Sequence, residues 1–165
     1  MLTARRGLAT GIDYATLALP LGLLAGIVAL RRSRSTAADR PPLSSARVRL
    51  IVAAGATLPL SCSLAAAEAS GGSPGKRLLG FTVSDDTTDE APTYPQALAR
   101  TLLKTALPWE LGHQAVWEFR ADHTRRGAVL AAGAYAAIGW QAVAIARGAR
   151  QTYPDRVAGT RVRKS

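Results

Sequence analysis

Three stretches of this chain carry no charge at all: Tyr14 to Leu30, Leu50 to Ala67, and Gly127 to Ala146. Each has about the length that crosses a hydrocarbon core as a helix, ~17–25 residues. A soluble amphipathic helix repeats its polar positions along one face with a period of 3.6. These stretches hold only scattered Thr, Ser, Tyr and Gln. The pattern predicts transmembrane helices over residues 8–30, 48–69 and 127–147. Pro20 marks a candidate kink in the first. The second is the least apolar, with Thr57, Pro59, Ser61, Cys62 and Ser63. Gly and Ala recur in all three, with Ser in the second, as close helix packing in lipid requires.

A fourth segment, residues 94–120, is helical in pattern without being a clean span. Ala97, Leu98, Leu102, Ala106 and Leu107 fall near one face, while Arg100 and Lys104 lie one turn apart on another. Pro108 is expected to break it. Trp109, His113 and Trp117 then follow at four-residue spacing. A helix of this kind belongs at the membrane interface or in a re-entrant dip. The connection from Arg31 to Arg49, interrupted by Pro41-Pro42, reads as a loop, and Ser70 to Gly75 as a turn-rich exit. The predicted fold class is an all-α membrane protein of one domain, residues 1–165. It has three transmembrane helices plus one amphipathic or re-entrant helix, with a short two-stranded β ribbon as an added element.

That ribbon is expected from two similar runs, Leu78 to Val83 and Val157 to Val162, each with a glycine ahead of β-prone residues. A lone strand at a membrane surface leaves its backbone groups unpaired, whereas two can satisfy each other. Pairing would place both runs in one compartment, with Lys76 or Arg77 close to Asp155. The chain between them would then cross an even number of times, so that residues 94–120 enter the bilayer. Simple hydropathy gives three crossings and the ribbon gives four.

The net charge of +10, with 21 Lys and Arg against 11 Asp and Glu, would suggest nucleic acid for a soluble protein. Here the arginines flank the apolar stretches, at Arg5, Arg6, Arg31, Arg32, Arg47, Arg49, Arg125, Arg126, Arg147 and Arg150. Headgroups and the positive-inside rule place them there. No nucleic-acid partner is expected. The Arg5-Arg6 pair ahead of the first apolar run looks like a signal-peptide start, but the run is long and no small-residue cleavage site precedes Arg31. A single cysteine, Cys62, excludes an intrachain disulfide.

Candidate chemistry is sparse. Gly75-Lys76 invites comparison with a phosphate-binding loop, but the first glycine of that motif falls on Ser70 and its metal-binding hydroxyl on Arg77. Glu110 and His113 have the E-x-x-H spacing of a di-iron helix, with no second copy. No metal, cofactor or enzymatic activity is expected. Asp13 is costly inside an apolar helix unless paired or wet. It reads either as an ion or substrate site or, more plainly, as half of an interhelical salt bridge. Arg6 shares its face but lies seven residues away, about 10 Å along the axis, so Arg6 is expected to pair with Asp155.

Three separated pieces resemble one family: "RRGLATGID" with Arg6 and Asp13, "SPGKRLLGFTV" with Gly75, Lys76 and Gly80, and "DRVAGTRV" with Asp155, Gly159 and Thr160. In this order they resemble the RDD family of small bacterial membrane proteins, named for one arginine and two aspartates. The resemblance covers nearly the whole chain. It implies a multi-pass protein of the plasma (inner) membrane of undefined activity. Ion or small-solute transport through the Arg6, Asp13 and Asp155 cluster is one expectation. The other is a non-catalytic structural or accessory subunit. The lipid bilayer is the expected partner, with a second copy or another membrane protein as further candidates. Transport requires a wet cavity reaching Asp13; a lock requires a dry, fully paired one.

Overall fold

The computed structural model describes residues 2–34 and 44–164; the Pro41-Pro42 connection lies outside them. The fold is mostly helical. Helix α1 spans Leu2–Arg34 and runs unbroken through Pro20. Helices α2 (Ser45–Val52) and α3 (Leu58–Ala69) form one continuous rod, joined by a π-helical turn over Ala53–Thr57. A short helix α4 (Pro74–Leu78) and strand β1 (Phe81–Asp85) follow. Helices α5 (Tyr94–Thr101) and α6 (Leu107–Arg120) form a second rod, with a π turn over Leu102–Ala106. Helix α7 (Thr124–Ala146), a short helix α8 (Tyr153–Ala158) and strand β2 (Thr160–Lys164) complete the chain.

Pro108 does not break residues 94–120, contrary to the expectation from sequence. A proline in a helix removes the hydrogen bond to the carbonyl four residues back, here that of Lys104. The preceding π turn widens the helix, and the Lys104 carbonyl is taken instead by Tyr14 Oη (2.8 Å) and Gln141 Nε2 (3.3 Å). The Leu103 carbonyl likewise accepts from Tyr153 Oη at 2.8 Å. The first rod has the same local sequence logic, with Leu58-Pro59 directly after its π turn.

The two rods pack antiparallel. Their polar contacts step evenly along them: Glu68 with Arg100, Thr57 with Glu110, and Arg49 with Glu118. Helix α7 then returns along α6, with Gly127 against Phe119, Gly133 against Leu111 and Gln141 against the Lys104 carbonyl. Helix α1 begins where α7 ends, since Arg6 donates to the carbonyls of Ala149 (2.8 Å) and Arg150 (3.4 Å). Among the described residues, Ser45–Ala69 and Thr124–Ala146 are long and apolar enough to cross a membrane. Three such spans were expected from sequence.

The ribbon exists, shifted toward the C-terminus by about three residues. Strands β1 and β2 pair antiparallel, Phe81 opposite Lys164 and Asp85 opposite Thr160. Leu78 belongs to α4, and Val157 and Ala158 to α8. Gly80 and Gly159 take φ of 68° and 62°. That left-handed conformation, favoured by glycine, ends each short helix and starts each strand.

Polarity is inverted relative to a soluble protein. The largest fully buried side chains include Arg100, Glu68, Thr101, Thr160 and Asp155, while Trp140 is 70% exposed and Leu23 68% exposed. Gly75 sits where α4 crosses α1. A Cβ built there would lie 2.2 Å from the Ala9 carbonyl oxygen and 2.9 Å from Asp13 Oδ1. Gly75→Ala therefore has to push two backbones apart, an overpacking cost of about 3 kcal/mol or more. Gly11→Ala, with open space around its Cβ, is the control and stays near wild type. Unfolding of both variants in micelles tests this; equal stability of the two contradicts the close approach.

Candidate functional site

The two short helices and the ribbon cap one end of the bundle, and the charges of four segments converge beneath them. Asp13, one turn beyond Ala9 on the buried face of α1, accepts three hydrogen bonds from the α4 segment: Ser73 Oγ (2.6 Å), the Gly75 N–H (2.9 Å) and Lys76 Nζ (3.2 Å). Gly75 is needed here twice over, since its bare Cα lets the α4 backbone approach close enough to donate. Lys76 Nζ also binds Glu68, at the end of α3, and donates to Ser73 Oγ at 2.7 Å. The second oxygen of Glu68 takes Arg100 Nη1 at 2.5 Å, and Arg100 Nε reaches Asp155 at 2.6 Å. Asp155 caps α8, accepting from the Thr152 N–H and Thr152 Oγ1, both at 2.7 Å. The result is an alternating chain, Asp13–Lys76–Glu68–Arg100–Asp155, with every member buried.

Electrostatics follow from that alternation. Burial by itself raises the pKa of the Asp155 carboxyl. The Arg100 guanidinium and the two Thr152 donors outweigh it and hold Asp155 below the usual carboxylate range. Asp85, at the end of β1, is held low as well, by the Thr87 hydroxyl, the Gln96 amide and the N–H groups of Thr88 and Thr87.

The expected partnerships need correction. Arg6 does not pair with Asp155. It is half-buried and donates to the two backbone carbonyls beyond the end of α7. Arg100 holds the Asp155 carboxylate instead, because α5 packs directly against α8. Lys76 lines the same cavity as Asp155, as the expected closeness requires, but forms its ion pairs elsewhere. Lys76 is drawn to Asp13 and Glu68, and Arg77 turns out to the carbonyls of Ala67 and Ser70. Glu110 accepts from Thr57, and His113 lies between the rings of Trp109 and Trp117. Glu68 was missed in the sequence. Its signal was the same as that of Asp13, a lone carboxylate at the edge of an apolar run.

The opposite end of the rods carries a second polar band. Arg49 pairs with Glu118 at 2.7 Å, and Arg49 and Arg120 both lie 5.8 Å from the Trp117 ring. Glu68 and Arg49 are nineteen residues apart on one rod, about 28 Å at 1.5 Å per residue. That matches a hydrocarbon core of ~30 Å.

The RDD family model matches residues 2–162. The chain belongs to the RDD family. No curated protein and no solved structure gives a match. Four charged residues of the three family-like pieces, Arg6, Asp13, Lys76 and Asp155, lie at the same end of this RDD protein, and Glu68 and Arg100 join three of them.

Breaking a buried ion pair by removing one partner costs about 3–5 kcal/mol. Arg100→Met, which strands Glu68 and Asp155 together, is expected to lose that much. Arg6→Gln, which gives up bonds to neutral carbonyls, is expected to lose only about 1 kcal/mol. Denaturant titration in micelles ranks the two, and an Arg6 variant as damaging as the Arg100 variant contradicts the assignment.

Proposed function

We propose that this RDD protein is a four-crossing, multi-pass protein of the plasma membrane with a structural or accessory role. Its Arg/Lys/Asp/Glu chain is a pin that fastens the bundle at one membrane face. The observation that carries this reading is the state of Asp13. It is 4% exposed and takes three donors from a single segment. An ion route through Asp13 needs an accessible carboxylate with free coordination; this one is buried, with donors on both of its oxygens.

Four crossings are supported by parity and by length. The ribbon joins the segments on either side of residues 86–159, so any crossings between them come in pairs. The rod of α5 and α6 together with α7 makes that round trip, just as α1 with the rod of α2 and α3 makes the first. Arg100 and Lys104 face the bundle, so the rod carries no charge toward lipid in its middle. The apolar residues left outside, among them Val129, Ile138 and Trp140, would meet acyl chains, a second copy or another membrane protein. No catalytic role is assigned.

Single cysteines in a Cys62→Ala background test both the topology and the pin. With an impermeant thiol reagent, Thr88→Cys and Arg156→Cys should react from one side and Arg125→Cys from the other. Ser73→Cys, beside Asp13, should stay silent from both. Thr88 and Arg125 reacting from the same side would remove the third crossing. A reactive Ser73→Cys would restore the wet ion route.

A further inference from the structure

The end of the rods away from the pin carries more positive charge than the chain answers. Among the described residues six arginines gather there. Arg47 and Arg49 lie on α2, Arg120 ends α6, and Arg125 and Arg126 begin α7. Arg31 lies eighteen residues beyond Asp13 on α1, about 27 Å along the axis. The acids at this level are Glu118 and Asp122. Glu118 is shared by Arg49 (2.7 Å) and His123 (3.0 Å). Among the described residues the other five arginines form no ion pair.

Two of these cations are held at one place. The guanidiniums of Arg120 and Arg49 each lie 5.8 Å from the Trp117 ring. Contact with an aromatic face steadies a guanidinium and leaves its N–H groups, five in all, free to donate. Arg120 is exposed, and the Arg49 side chain stays 25% exposed after its bond to Glu118. Like charges drawn to one indole repel each other unless an anion lies near. Toward the middle of the rods the surface turns apolar at once. Val116 is 56% exposed, Phe119 45% and Leu50, next to Arg49, 68%. A partner that answers both features has an anionic head and an acyl tail. A free anion or a nucleic acid would meet the arginines and leave the apolar flank in water.

We propose that this surface docks an anionic phospholipid, with its phosphodiester at Arg120 and Arg49 beside Trp117 and its acyl chains along Val116 and Phe119. The inference rests on the four-crossing reading, which sets Trp117 at the level of the headgroups. Arg49 and Arg120 come from different rods, so the bound headgroup offsets the repulsion between the two rod ends. It is separate from the Asp13 pin, which lies at the other face.

The test uses the full chain in phosphatidylcholine vesicles, with Trp109→Phe and Trp140→Phe so that Trp117 alone fluoresces. Phospholipids brominated in the upper part of their acyl chains serve as quenchers, with either a phosphatidylglycerol or a phosphatidylcholine headgroup. Brominated phosphatidylglycerol is expected to reach half-quenching at a roughly tenfold lower mole fraction. Arg120→Gln is expected to give up roughly fivefold of that preference. Arg31→Gln, which removes the same charge from the same face, is expected to keep it. Equal quenching by the two headgroups overturns the proposal and leaves the crossings in place. No quenching by either puts Trp117 outside the bilayer and overturns the four-crossing reading as well. A loss in Arg31→Gln as large as that in Arg120→Gln also overturns the site, since diffuse charge then accounts for the preference. Inorganic phosphate, exchanged for chloride at constant ionic strength, must leave the preference intact; its loss would mean that the arginines take a free ion. If the double Phe chain does not accumulate, native mass spectrometry of the wild type and Arg120→Gln from mixed micelles replaces it. Retained phosphatidylglycerol must then fall in the variant, and equal retention counts against the site.

Discussion

The Glu68 carboxylate, clasped between Lys76 and Arg100, is the interaction on which this structure depends. It sits at the end of the first rod and has no access to water, so it can exist as a charge only if both of its oxygens are met. Lys76 meets one and carries the α4 turn with it. Arg100 meets the other and carries the second rod. Each cation then reaches one further carboxylate, Lys76 to Asp13 on α1 and Arg100 to Asp155 on α8. Four segments far apart in sequence are thereby brought to one point. The order of partners follows from packing, since α4 lies against α1 and brings Lys76 to Asp13, while α5 lies against α8 and brings Arg100 to Asp155.

Such a chain is a weak source of net stability in water, because desolvation offsets most of the attraction. In lipid its value is different. The hydrophobic effect does not drive one apolar helix against another there, and association rests on packing and polar contacts. The exposed surface of α7 and of the outer half of α1 is apolar, while the buried core is mostly small residues, hydroxyls and charges, with Leu64, Phe81 and Val83 as its larger apolar members. The pin supplies at one end what a hydrophobic core would supply throughout a soluble bundle. At the other end Arg49, Glu118 and Trp117 form a looser band, where partial exposure suits a headgroup region.

Much of this was legible in the sequence because lipid and charge leave strong signals. The charge-free stretches fall within α1, the rod of α2 and α3, and α7, and Asp13 announced itself as a group in need of partners. The paired glycine-strand runs foretold the ribbon, although the helical turns of α4 and α8 absorbed the first residues of each. The partners were harder to read. Arg6 was matched to Asp155 by elimination, yet the pairing is set by the packing of α5 on α8, a contact between distant segments that no local periodicity reports. Lys76 was expected only as a neighbour of Asp155. Only the close passage of Gly75 over Ala9 shows why it reaches Asp13 instead. Residues 94–120 looked broken and amphipathic because Pro108 and two cations interrupt them. Both features are explained by contacts from other helices.

The central claim is that Glu68 and Arg100 act as a coupled pair that joins the two rods, and a double-mutant cycle tests it most directly. Glu68→Gln, Arg100→Met and the double variant would be unfolded by denaturant titration in one detergent. If the pair is the joint, the double variant loses much less than the sum of the singles, with a coupling energy of about 2–3 kcal/mol. Additive losses, with coupling within about 0.5 kcal/mol of zero, would mean that the rods are held together by their packing alone.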